Sequence, residues 1–257
     1  MCGIGKVFYR TILMVGYAYH SQCMHKDHKK IIQTLKQASR PIESFTSSDS
    51  YILSGHFYYN VPVPVRRQIA KDYVKENKEI SFSDFVSLLT LLYEGVSHEE
   101  KTIASYLLTY YVAHRKKITP KHLDTWLRHL VGWAEIDALC YNVFTAEEML
   151  CNWQSWEVFL TALMKDKNIN KRRASLVFLA GPAHRSSDSR LREKSFTSVQ
   201  QLKTEPDIII TKAISWLLRE MVKQHKVEVE KFLDTNESTL PRIAVRETRR
   251  KIATGKK

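Results

Sequence analysis

An all-α fold is predicted by three features of the 257-residue chain. Only 8 glycines and 7 prolines interrupt it. Leucine, lysine, glutamate and alanine are abundant, and no segment shows the clear apolar–polar alternation of a half-buried strand. About a dozen amphipathic segments of 10–18 residues follow one another with short connections. Paired helices recurring at roughly 35–45-residue intervals point to a solenoid of the HEAT or armadillo kind, whose concave face would be wide enough for a duplex. A compact helical bundle is the alternative at this point.

The elements can be justified in order. Met1–Cys23 reads differently from the rest. Val7–Tyr19 is apolar, but Arg10 interrupts it and it is too short to span a bilayer. No clean small-residue cleavage site follows, which makes a secretory leader the weaker reading. The true start is expected at Met24, with residues 1–23 an upstream extension or a disordered arm. His25–Ala38 is the first good amphipathic helix, and Pro41–Ser54 is a serine-rich linker. Pro62 and Pro64 suit a first helical turn and open a basic helix running to about Glu76.

Ser81–Tyr93 is strongly apolar. Ser97 with Glu100 is a capping box ahead of His98–Lys116. Thr119 and Pro120 open a helix through Leu130, Gly132 is a break, and Trp133–Val143 follows. Thr145 with Glu148 is a second capping box. Trp153–Lys165, Ile169–Ala180, Arg190–Leu202, Pro206–Gln224 and Leu240–Ala253 complete the series.

A net charge of +13 and a pI near 9.5 are unusual for a soluble globular chain. They favour a polyanionic partner, either nucleic acid or an anionic membrane face, over a merely basic surface. The four cysteines (Cys2, Cys23, Cys140, Cys151) have no short paired spacing, so they fit neither a zinc ribbon nor a disulfide framework; they are read as reduced, cytosolic and structural. His20, His25 and His28 lack a partner cluster, and neither a metal nor a cofactor is expected.

Three stretches could carry chemistry. In Asn168–Ala180, NINKRRASLVFLA, Lys171 and Arg172 suit a basic turn near a helix N-terminus. Arg173, however, falls between Leu176 and Val177 in the apolar sector of the helical wheel. A guanidinium stays charged under protein conditions, so a half-buried one must meet an anion. The expected anions are the Asp137 carboxylate and a DNA phosphate. In Pro206–Gln224, Lys212, Trp216, Arg219 and Lys223 share one face within about 60°. Ile210, Ala213, Ile214, Leu217, Leu218 and Met221 take the other. A large aromatic therefore stands on the basic face, where it would meet nucleic acid or merely lie over lysine stems. In Gly132–Leu139, GWAEIDAL, Trp133 and Asp137 are one turn apart, a spacing that could bind a cation but is weak alone.

The order GWAEIDAL, NINKRRASLVFL, IITKAISWLLRE, LPRIAVRETRRKI resembles the bacterial DNA alkylation repair enzymes, the AlkD-type glycosylases built from HEAT-like repeats. The upstream YNVPVPVRRQIAK is similar in form. The resemblance implies that residues 24–257 form one HEAT-like repeat glycosylase domain, monomeric and cytoplasmic, acting on duplex DNA that contains alkylated bases, away from membranes. It implies catalytic roles for Asp137, Trp133, Trp216 and Arg173. Two departures, Gly132 before the first tryptophan and N-K-R-R in place of a tryptophan-bearing turn, bear on substrate range. The DNA-binding surface is expected from Arg66, Arg67, Lys171, Arg172, Lys212, Arg219, Arg246, Arg249 and Arg250, mostly as phosphate contacts.

The chemistry so implied is hydrolysis of the N-glycosidic bond of cationic N3- or N7-alkylated purines, leaving an abasic site. No lysine nucleophile for strand cleavage is evident. Two competitors remain: a non-catalytic protein that binds damaged or branched DNA on the same scaffold, and a protein-binding scaffold, which the charge argues against.

Overall fold

A computed structural model of the protein describes residues 26–41 and 54–256. The expected extension, residues 1–23, and most of the serine-rich linker lie outside the described residues. The rest is helical, with thirteen helices and no strand among the described residues. The chain divides into two compact units, the first reaching Thr46 and resuming over His56–His114, the second consisting mainly of Arg115–Lys257.

The first unit contains α1 (26–37), α2 (Val63–Glu76), α3 (Phe82–Glu94) and α4 (His98–Tyr110). Its core is Ile31, Leu35, Ala70, Phe85, Leu88, Leu92, Ile103 and Leu107, all nearly without solvent contact. The expected Ser97–Glu100 capping box forms in full. Around it the polar start of α4 is buried because every group has a backbone or side-chain partner. Glu99 accepts from the Tyr59 and Val61 amides at 3.0 and 3.3 Å, and Lys101 donates to the Tyr93 and Gly95 carbonyls at 2.7 Å each. Tyr111 breaks the long helix expected over His98–Lys116, and the single turn α5 (Val112–Arg115) follows.

The second unit comprises α6 (Pro120–Leu127), α7 (Gly132–Cys140), α8 (Ala146–Leu150), α9 (Trp153–Met164), α10 (Ile169–Arg185), α11 (Ser189–Leu202), α12 (Ile208–Asn236) and α13 (Arg242–Thr254). The Thr145–Glu148 capping box caps α8. At the centre is α10, packed against α7, α9, α11 and α12. Nearly all of its residues from Arg173 to Ala183 are buried, so it has no single amphipathic stripe. It also runs five residues past the expected end at Ala180, through Gly181 and Pro182. The missing Cβ of Gly181 makes this packing possible: a methyl there would lie 2.6 Å from Asn142 Oδ1. The sequence reading ends α12 at Gln224, but after a non-helical His225 (φ −134°) the chain resumes as helix to Asn236.

Several side-chain links share the same sequence separation. Arg66 to Thr102, Arg173 to Asp137, Arg192 to Glu228 and Gln200 to Asn236 each join positions 36 residues apart. Arg115 to Glu148 and Arg172 to Glu205 join positions 33 apart. Cys140 is buried, and burial pushes its thiol well above the ordinary range; Cys151 is exposed, and both are free.

Candidate active site

The site begins with the entry to α7. Gly132 adopts φ +75°, a backbone conformation that favours glycine, and its N–H donates to Asn170 Oδ1 on the first turn of α10 at 3.0 Å. One turn along α10, Arg173 reaches the next turn of α7. Its Nε and Nη2 donate to Asp137 Oδ1 and Oδ2 at 3.0 and 2.8 Å, and its Nη1 donates to the Ile209 carbonyl at 2.5 Å. This is the bidentate fork expected of an arginine among apolar residues. Arg173 is 4% exposed. Of its two expected anions, the carboxylate is the one the fold itself supplies.

Asp137 is less enclosed than its partner and opens onto a cleft of about 400 Å³. The cleft is lined by Asp137, Arg173, Lys212, Trp216, Arg219, Ile243, Glu247 and Arg250. Burial pushes the Asp137 carboxyl above its ordinary value, and the hydrogen bonds and charge of Arg173 pull it back only in part.

Trp216 stands in the cleft wall on the polar face of α12. Ile210, Ala213, Ile214, Leu217, Leu218 and Met221 are buried behind it, as the helical wheel requires. Its Nε1 donates to Glu220 Oε1 at 2.9 Å, and its ring meets that of Tyr141 at 4.5 Å between centroids. Tyr141 is the residue that ends α7, one turn beyond Asp137, and its N–H donates to the Asp137 carbonyl at 2.9 Å. Trp133 is half-buried one turn before Asp137 and is not among the residues that line the cleft. The structure thus brings together Asp137, Arg173 and Trp216, and leaves Trp133 beside them on the same helix.

A profile for the DNA alkylation repair enzyme family matches residues 31–252. The chain belongs to the DNA alkylation repair enzyme family. Among solved structures it is similar to one titled a predicted DNA alkylation repair enzyme from Enterococcus faecalis, with a TM-score of 0.70 and 17% identity over 84% of this chain and 98% of that one. At that identity the likeness speaks for the fold. Curated proteins offer no match. Membership supports a role in DNA repair for this chain.

In this member of the family the expected DNA-binding cations fall into three groups. Lys171 is 6% exposed and donates to Asp124 Oδ1 at 2.5 Å, with Asp166 Oδ2 at 3.4 Å. Arg172 is bidentate to Glu205 at 2.7 and 2.9 Å and also bonds the Asp166 and Lys167 carbonyls. Arg66 is buried with Nη1 on Thr102 Oγ1 at 2.6 Å. These three already have internal partners, which a DNA phosphate would have to share or displace.

Arg219 and Arg249 are intermediate. Arg219 Nη2 lies 3.4 Å from Glu247, which also accepts from Ser215 Oγ at 2.6 Å, and Arg249 is shared by Asp234 and Glu237 at 3.1 and 2.6 Å. Lys212 and Arg250 line the cleft, are exposed and have no ion-pair partner among the described residues. Arg246 is mostly exposed with only a 4.0 Å contact to Glu247, and Arg67, on the first unit, lies 5.5 Å from the Tyr106 ring centroid.

The sequence reading missed Tyr141, Glu220, Ile243 and Glu247. Two had a local signal: Tyr141 follows Asp137 by one turn, and Glu220 follows Trp216 by one turn. Glu247 and Ile243 come from α13, which only tertiary packing brings to α12. Among the described residues no group of His, Cys, Asp or Glu could hold a metal ion, and no helix is long and apolar enough to cross a membrane.

Proposed function

We propose that this protein is a monofunctional DNA glycosylase that removes cationic N3- or N7-alkylated purines from duplex DNA and leaves an abasic site. The observation that carries the reading is a carboxylate braced from behind by a buried guanidinium and open in front to a cleft that also holds an indole and two unpaired cations.

An alkylated purine carries a formal positive charge, so it leaves as a neutral base without a general acid. The C1′–N bond breaks, its electron pair neutralises the base, and positive charge builds on the sugar. Asp137 stands where it can stabilise that charge, and its fixed orientation avoids reorganisation during the reaction. Water adds to C1′, and the proton it loses goes to Asp137, which a raised pKa makes the better acceptor. Arg173 is a positioning residue: it holds both carboxylate oxygens. Trp216 supplies cation–π attraction to the lesion of about 0.5–2 kcal/mol. Trp133 is the second aromatic of the site in this reading. Lys212 and Arg250 take the flanking phosphates, helped by Arg246; Arg67 is a separate candidate phosphate contact on the first unit. The 36-residue links at Arg173–Asp137, Arg192–Glu228 and Gln200–Asn236 support a HEAT-like arrangement within the second unit.

The test is a base-release assay on duplex DNA methylated to contain 3-methyladenine and 7-methylguanine, with strand integrity followed in parallel. Free base with intact strands until alkali is added is the expected result. Tight, salt-sensitive binding without base release would leave the non-catalytic DNA-binding reading in its place.

A further inference from the structure

We propose that Glu220, backed by His184, is a positioning residue that clamps Trp216 and biases its ring toward a cationic nucleobase; the proposal rests on the glycosylase reading above. Glu220 uses both oxygens. Oε1 accepts from the Trp216 indole N–H at 2.9 Å, and Oε2 lies 2.8 Å from His184 Nδ1. The far side of the indole is restrained by the Tyr141 ring, 4.5 Å away and tilted by 46°.

Trp216 and Arg219 form a wall between two spaces. One is the cleft that holds Asp137; the other is a smaller cavity of about 130 Å³ completed by His184, Glu220 and Lys251. Glu220 and His184 line the smaller cavity and not the cleft that holds Asp137.

The register of α10 shows how the clamp is built into the fold. Arg173 and His184 are eleven residues apart, which places them about 20° apart on the helix and about 16 Å along it. Arg173 reaches α7 and fixes Asp137; His184 reaches α12 and fixes Glu220. A single helix thus sets both the charge and the aromatic of the site.

Two effects follow. A tryptophan in an open groove would lose entropy on binding a ligand, and a clamped ring has already lost it. A carboxylate on the indole N–H also polarises the ring, making its face more negative and more attractive to a cation than to a neutral base. The alkylated base is cationic in the ground state and loses that charge as the bond breaks, so losing the effect should raise KM without lowering kcat.

The experiment compares wild type, Glu220→Ala and Glu220→Gln by three measurements: solvent exchange of the Trp216 indole N–H by NMR in the free protein, steady-state release of 7-methylguanine, and affinity for alkylated and unmodified duplexes of one sequence. Glu220→Ala should speed indole exchange and raise KM each by about tenfold, as for loss of a charge-assisted hydrogen bond, with kcat not lowered and unmodified-duplex affinity unchanged. Glu220→Gln keeps an acceptor for the indole and should restore most of the ring's protection. Unchanged exchange in Glu220→Ala, or equal weakening of both duplexes, would overturn the proposal. If wild type releases no base, the glycosylase reading fails, while indole exchange and the affinity difference still decide the clamp.

Discussion

Two basic runs in the second unit read alike and are treated in opposite ways. Lys171, Arg172 and Arg173 open α10; Arg246, Arg249 and Arg250 lie along α13. In the first run every cation is met by a carboxylate: Asp124 and Asp166, Glu205, and Asp137. In the second, Arg249 is paired, Arg246 has only a 4.0 Å contact, and Arg250 faces the cleft unpaired. Burial accounts for the difference. A cation sealed in the fold must be neutralised there, whereas one at the surface keeps its charge for a partner in solution. A net charge of +13 therefore overstates what one basic run contributes to binding DNA and understates what the other does to hold the carboxylate.

The contrast breaks most readily at Arg173. Arg173→Ala leaves the Asp137 carboxylate partly buried without its counter-ion, and should cost about 3 kcal/mol in urea unfolding as well as most of the base release. A stability change below about 0.5 kcal/mol, the range of ordinary surface substitutions, would mean that the pair does not brace the site. Next comes Lys171→Ala. It should destabilise by about 1–2 kcal/mol through two stranded aspartates that keep part of their hydration, yet leave the salt dependence of DNA binding unchanged.

The opposite pattern is expected across the cleft. Lys212→Ala and Arg250→Ala should each lower the slope of log K against log salt by about 1 and leave the unfolding midpoint unmoved. A similar slope loss for Lys171→Ala would erase the distinction between the runs. The smallest effect concerns pH. Because burial raises the Asp137 carboxyl, and base release needs it ionised, the acid limb of the rate profile should lie above the range of an ordinary aspartate, activity falling as pH drops through the raised value. The same shift has a stability consequence of the usual sign for a raised group. The folded state binds the proton more tightly than the unfolded one, so this contribution is present at low pH and lost as pH rises through the folded value. An acid limb at or below the ordinary aspartate range would contradict the burial argument.

Local chemistry was the most legible part of the sequence. The Ser97–Glu100 and Thr145–Glu148 boxes need only residues three apart, and both form. Arg173 was also legible, because a guanidinium in an apolar sector demands an anion wherever that anion lies in the chain. Less legible were features that depend on what packs alongside. Gly181-Pro182 looks like a stop, yet α10 continues because Asn142, itself at φ +61°, fits over the bare glycine. The helix beyond His225 was hidden by a polar run, although Val229 and Leu233, one turn apart, are fully buried. The carboxylates that meet Lys171 and Arg172 could not be read locally, because Asp124 and Glu205 are 47 and 33 residues away.

The most direct measurement is single-turnover release of 7-methylguanine from one methylated duplex by wild type and by Asp137→Asn, with binding measured alongside. A fixed carboxylate that stabilises positive charge on the sugar predicts a loss of about 10²–10³-fold in rate with duplex affinity retained. Equal release from the two proteins would remove Asp137 from the chemistry and contradict the account.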